Sequence, residues 1–172
     1  MRIVYLGSAD FSLPTLRSID KSDHQLIAIV THPDKIAGRG KVLTPSIVKI
    51  EGKILGYPIL EPINLNSEET IKLLKDCSPD VFVVVAFQKL PDSILNIPRI
   101  GSINLHPSLL PIYRGAAPIQ WSLLNGDSNT GISIIELSSK IDAGNIIFQK
   151  KYKIEEDDNY GTLSNKLSKI GA

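Results

Sequence analysis

The run Val81-Phe82-Val83-Val84-Val85-Ala86-Phe87 has no polar residue. A strand with one wet face alternates, whereas a continuously apolar strand is covered on both faces and belongs inside a parallel sheet. Other apolar runs precede and follow it, separated by segments of helical period, which is the pattern of an α/β fold. Strands are expected at Ile3 to Gly7, Gln25 to Thr31, Tyr57 to Leu60, Ser102 to His106 and Gly131 to Leu137. Ile146 to Tyr152 reads as a late strand or hairpin arm. Ser12 can cap a helix carrying Leu13, Leu16 and Ile19, and Thr44 followed by Pro45 is a good start for one presenting Ile47, Ile50 and Ile54. Ser67 opens another with Glu68 and Glu69 in its first turn, favourable for the helix dipole. A helix from about Ala117 stops at Asn125-Gly126, and the last is capped by Asn159 with Tyr160, Leu163, Leu167 and Ile170 on one stripe. The expectation is one α/β domain over residues 1–172, with an open, mostly parallel sheet and helices on both faces.

Composition narrows the function classes. Hydrophobic residues are 42% and charged residues 22%, globular values rather than disordered or membrane ones. A net charge of +1 gives no global attraction to nucleic acid, so an RNA contact would need a local patch. Cys77 alone cannot form an internal disulfide, and the start Met1-Arg2-Ile3-Val4-Tyr5-Leu6 is not a signal peptide; a cytoplasmic location is expected. Gly7-Ser8-Ala9-Asp10-Phe11 lacks the dinucleotide fingerprint, and there is no phosphate loop or nucleophile elbow. His24, His32 and His106 lack metal-ligand spacing, so no metal is expected.

The chemistry concentrates in residues 104–142. Asn104 and His106 are two apart on a strand, hence on one side of it, and Pro107 ends the ladder there. Their place is the carboxyl edge, where open α/β sheets bind ligands. An isolated Asn-x-His reads equally well as a turn former and a satisfied buried histidine. Asp142 follows the strand that ends near Leu137, and would share the crevice if the two strands are neighbours. As Asp before Ala143-Gly144 it also fits an ordinary polar turn. An amide, an imidazole and a carboxylate are what transfer of an acyl carbon to an amine requires: donors for an oxyanion and an acceptor for a proton.

Asn104-x-His106-x-Ser108-Leu109-Leu110-Pro111, then Arg114-Gly115 and Pro118, with Asp142 beyond, resembles the signature of the folate-dependent formyltransferases. The likeness runs from Met1 to the end of the chain. Pro33-Asp34-Lys35-Ile36-Ala37-Gly38-Arg39-Gly40-Lys41, followed by Pro45-Ser46 and Val48-Lys49, is similar to the branch that acts on methionyl-tRNA. The resemblance implies a Rossmann-like domain using 10-formyltetrahydrofolate as co-substrate and initiator methionyl-tRNA as acceptor. Asn104 and His106 would stabilise the oxyanion, and Asp142 would orient His106 and relay the amine proton. Ser108, Leu109, Leu110 and Pro111 would border the folate, with Leu90 and the backbone from Phe87 and the Asp142 loop holding the pterin.

The insert has a physical rationale of its own. Lys35, Arg39 and Lys41 stand against Asp34 alone, and a loop of this kind can order against phosphates. A solvated surface loop is the plain reading of such a stretch, and the resemblance makes Arg39 the leading RNA contact. Two departures from the family pattern are visible. Ala86-Phe87-Gln88-Lys89-Leu90-Pro91 is a residue shorter than its common form and lacks the glycine after the aromatic. The sequence stops before the C-terminal β-barrel that helps grip tRNA, a partner domain lost or supplied separately. The alternatives are the same chemistry on an amino-sugar nucleotide, or an inert folate- or RNA-binding module.

Overall fold

The computed structural model describes residues 1–37 and 42–172. The strands are β1 (Arg2–Gly7), β2 (Gln25–Val30), β3 (Lys35–Ala37), β4 (Val42–Thr44), β5 (Ile59–Leu60), β6 (Val81–Val85), β7 (Gly101–His106), β8 (Asn129–Glu136) and β9 (Ile146–Lys153). The helices are α1 (Leu13–Asp20), α2 (Ile47–Leu55), α3 (Glu68–Asp76), α4 (Asp92–Leu95), α5 (Pro118–Leu124) and α6 (Tyr160–Gly171).

Seven strands form one sheet in the order β5-β2-β1-β6-β7-β8-β9. The pairs from β5 through β7 are parallel, while β8 and β9 run antiparallel. The chain moves outward from β1 to β2 and β5, then returns to the other side of β1 with β6. Strand order therefore reverses between β1 and β6, and the crevice outside their carboxyl ends is the natural ligand site of such a sheet.

All five residues of β6 are buried, as its unbroken apolar run requires. On one face Tyr5, Val83 and Leu105 pack with Leu16 of α1, Val48 of α2, Ile119 of α5 and Leu163 and Leu167 of α6. On the other, Leu6, Phe82 and Val84 meet Leu74 of α3 and Ile94 of α4. Leu163 and Leu167 are completely enclosed, each contributing about 1.5–3 kcal/mol of apolar burial. At the opposite edge β9 is largely exposed and carries Lys150, Lys151 and Lys153, charges that discourage strand addition.

Several local expectations change. Thr44 ends β4 instead of capping a helix; Ser46 is the cap of α2, extended and accepting from the Lys49 amide at 3.0 Å. Ser12 occupies the N-cap position of α1 as expected but makes no side-chain capping bond, because its hydroxyl donates to the Ala9 carbonyl at 2.6 Å. The apolar run ends its strand at Val85, since Ala86 turns into the left-handed region at φ 49°. The insert expected as a loop carries an antiparallel hairpin, with Lys35 paired to Thr44 and Ala37 to Val42. The Asn159 cap is present as a full capping box with Thr162.

Candidate active site

β7 sets the first two polar groups. In register Asn104 lies beside Val84 of β6 and Ile135 of β8, and His106 lies beside Ser133 of β8. Leu105 points into the α6 side of the core, so Asn104 and His106 face the opposite way. Both line a cleft of about 530 Å³ at the carboxyl edge, together with Phe87, Leu90, Leu137, Ile141 and Asp142.

Asp142 reaches this cleft by an indirect route. Because β8 runs antiparallel to β7, it ends beside Ile103, a full step below His106. The two loops thus do not start from one edge; residues 138–145 must fold back over the sheet. Glu136 receives the returning chain, its amide donating to the Asn145 carbonyl at 2.9 Å. Gly144 passes so close that a Cβ there would lie 1.7 Å from the Glu136 carbonyl oxygen. Asp142 itself takes φ 47°, a conformation Asp tolerates better than most residues.

The result is a defined constellation. Asp142 Oδ2 accepts the Gly115 amide at 2.8 Å and stands 3.5 Å from His106 Nδ1. The second distance is an ion-pair separation rather than a formed hydrogen bond. The other ring nitrogen, Nε2, is 2.9 Å from the Tyr113 carbonyl oxygen, which can only accept. The His106 and Asp142 side chains are only 6% and 12% exposed, so charge interactions between them are weakly screened. Asn104 makes no side-chain hydrogen bond among the described residues, leaving its carboxamide available at the cleft wall.

The cleft wall includes Pro107, and the Ser108, Leu109, Leu110 and Pro111 segment follows directly behind it. After Pro107 the chain is pulled away by the neighbouring strands. Ser133 Oγ donates to the Ser108 carbonyl at 2.6 Å and accepts from the Leu110 amide at 3.0 Å. Gln149 Nε2 reaches Ser133 Oγ at 2.8 Å and the Leu110 carbonyl at 2.9 Å. Ser108 is fully buried and donates to the Ile112 carbonyl at 2.6 Å, while Leu109 sits on Gly131. This segment braces His106 from behind. Ser133 and Gln149 carry no sequence signature, and only the cross-strand register identifies them.

Leu90 does lie in the lining, 3% exposed, beside the flat ring of Phe87. Phe87 stacks on His32, centroids 4.8 Å apart and planes 16° from parallel. Burial, and next the Lys35 charge, holds the His32 imidazole below its ordinary pKa. Phe87, Leu90 and Ile141 give the cleft apolar lining, and Asn104, His106 and Asp142 give it a few polar groups, the make-up of a small-molecule site. No group of three or more His, Cys, Asp or Glu able to hold a metal occurs among the described residues.

Lys35 is exposed on β3, outside the cleft, whereas Arg39 and Lys41 lie outside the described residues. Asp34, at the foot of the hairpin, is taken up by Lys49 Nζ at 2.6 Å, which also contacts Glu61 at 2.9 Å. The hairpin thereby has a pinned base, and its described residues Lys35, Ile36 and Val42–Thr44 are exposed.

The methionyl-tRNA formyltransferase of Porphyromonas gingivalis is 42% identical over 172 residues, covering 100% of this chain and 53% of that protein. That of Ehrlichia ruminantium is 44% identical over 173 residues, covering 99% and 57%. The chain thus spans about half the length of the curated relatives it matches. Among solved structures, the phosphoribosylglycinamide formyltransferase of Bacillus halodurans superposes with TM-score 0.80 at 20% identity, covering 99% of this chain and 89% of that one. The Streptococcus pneumoniae phosphoribosylglycinamide formyltransferase gives 0.81 at 17%, covering 99% and 92%. These distant structures share the fold. No helix among the described residues is long and apolar enough to cross a membrane. The sequence profile of the formyl transferase family matches residues 1–172, the whole of the chain, and the chain belongs to that family.

Proposed function

We propose that this domain transfers the formyl group of 10-formyltetrahydrofolate to the α-amino group of initiator methionyl-tRNA. The observation that carries the chemistry is the convergence in one cleft of Asn104 and His106 from β7 and Asp142 from a stretch far along the chain. The donor supplies an activated formyl carbon. The amine nitrogen bonds to that carbon, its bond to the donor nitrogen breaks, one proton leaves the amine and one reaches the departing nitrogen. Asn104 offers an amide N–H to the oxygen that gains charge. His106 presents only Nδ1 to the cleft, as Nε2 is held by Tyr113. Asp142 relays the proton the amine gives up to Nδ1, which once protonated donates to the oxyanion.

The choice of acceptor is supported by two features. Relatives at 42–44% identity are named for methionyl-tRNA, and the hairpin stands beside the crevice with Lys35 exposed. Lys35, Arg39 and Lys41 are proposed to meet phosphates of the tRNA, Arg39 foremost. Single-turnover transfer from 10-formyltetrahydrofolate to methionyl-tRNA and, in parallel, to an amino-sugar nucleotide tests both halves. Transfer to methionyl-tRNA alone, abolished in His106→Ala, is the expected result. Equal rates for wild type and His106→Ala would remove the catalytic assignment, and transfer to the sugar alone would remove the acceptor.

A further inference from the structure

The imidazole of His106 has its two nitrogens in different surroundings, and the difference is built by a residue outside the polar trio. Nε2 faces the main-chain oxygen of Tyr113 at 2.9 Å. That oxygen is held in place by the Tyr113 side chain. Its phenol donates to Asp127 Oδ2 at 2.6 Å and accepts from Asn125 Nδ2 at 2.8 Å. Asn125 and Asp127 sit just past the end of α5, where the Asp127 amide is itself fixed by the Ser122 carbonyl at 3.0 Å. Tyr113 lies in the left-handed region at φ 58°, a conformation that a bulky residue keeps only when its surroundings impose it.

We propose that Tyr113 is a positioning residue: clamped by Asp127 and Asn125, it fixes His106 as the tautomer with hydrogen on Nε2. In that tautomer the neutral ring turns a bare lone pair on Nδ1 toward Asp142. Two acceptors then face one another across 3.5 Å, and neither can donate to the other. The gap closes only around a hydrogen brought from outside, such as that of an incoming amine or of water. Tyr113 thus makes Nδ1 the nitrogen that takes and returns a proton. With the other tautomer, Nδ1–H would bond to Asp142 in the resting protein and the slot would already be filled. Direction of the proton is set by a carbonyl on the far side of the ring.

The proposal rests on His106 being the catalytic imidazole, but its main test reads the ring itself. Nitrogen-15 spectra of the protein at mildly basic pH, with His24 and His32 assigned by substitution, report which His106 nitrogen is protonated. The expected wild-type pattern is a single tautomer, Nε2 protonated and Nδ1 bare. Tyr113→Phe and Asp127→Ala should each mix the two tautomers and lower kcat about tenfold, with KM values within about twofold. Asp127→Asn, which retains an acceptor for the phenol, should restore both the spectrum and kcat. Should Tyr113→Phe fail to fold, Asp127→Ala carries the test alone. A wild-type ring already mixed or protonated on Nδ1, or a ring unchanged in the folded variants, overturns the proposal. Tautomer mixing combined with equal transfer by wild type and His106→Ala would keep the clamp and overturn the catalytic reading instead.

Discussion

The wall that carries His106 and the hairpin at residues 35–44 are built on opposite plans. The wall is held by many bonds: Ser133, Gln149 and Ser108 tie three adjacent segments together, and Tyr113 and Gly115 engage the imidazole and the carboxylate. The hairpin holds on by its root. Lys49 joins Asp34 and Glu61 there, and beyond it Ile36, Val42 and Leu43 stand 62–69% exposed. Bond making needs reacting groups held to a fraction of an ångström, which a strand edge provides and a projecting arm does not. Contact with a large charged partner tolerates adjustment, and exposure suits it. On the proposed function, fixed chemistry and adaptable recognition are separated within one short chain.

The sharpest way to break that division is at the chemistry. His106→Ala or Asn104→Ala should each lower single-turnover transfer by roughly 10²–10³-fold, with both variants still folded by circular dichroism. Retained activity in both would show that the wall serves only as scaffold. Next in size is the bracing. Ser133→Ala strands two backbone groups and the Gln149 amide, and should cost about 2–3 kcal/mol of folding stability in denaturant titration. Transfer should fall with it. A stable, fully active variant would mean that His106 needs no support from behind.

The arm calls for smaller effects of a different kind. Lys49→Met should leave kcat and global stability nearly unchanged but raise amide hydrogen exchange across residues 35–44, with KM for methionyl-tRNA rising severalfold. Loss of kcat instead would join the two regions into one unit. Hydrogen bonds first from Asp34 and then from Glu61 hold the Lys49 pKa above its ordinary value. A cation whose folded pKa is raised contributes fully below its unfolded pKa, and the contribution disappears as pH climbs through the folded one. Exchange protection of the hairpin root should therefore hold through neutral pH and fade only in strongly alkaline solution; the Lys49→Met protein should lack that alkaline step. Smallest of all, Lys35→Ala should weaken tRNA binding about two- to threefold and flatten its salt dependence by about one phosphate contact. An unchanged salt slope would take Lys35 out of the interface.

The parts legible in the sequence are those governed by periodicity. β6 announced itself by having no polar side, and the placement of Asn104 and His106 on one face followed from strand alternation alone. Asp142 was readable as a residue type but not as a route, because whether β8 runs with or against β7 depends on pairing between distant strands. Tyr113 was beyond reach for another reason. Its contribution to the ring is a main-chain oxygen, and every residue has one. Ser46 took the cap from Thr44 because β4 extends through that position, so tertiary pairing overrode a good local helix start. Ser133 and Gln149 look like ordinary strand residues until their register brings them under the Ser108–Pro111 segment.

The reversal of β8 has one more effect. The stretch from Ser138 to Asn145 is a loop joining β8 to the antiparallel β9 beside it, and its base is cinched where Gly144 meets Glu136. Shortening such a loop would drag the carboxylate away from the ring instead of trimming a surface tip. Lengthening it would let the acid wander. This loop should therefore have a nearly fixed length in any chain that keeps the same partners.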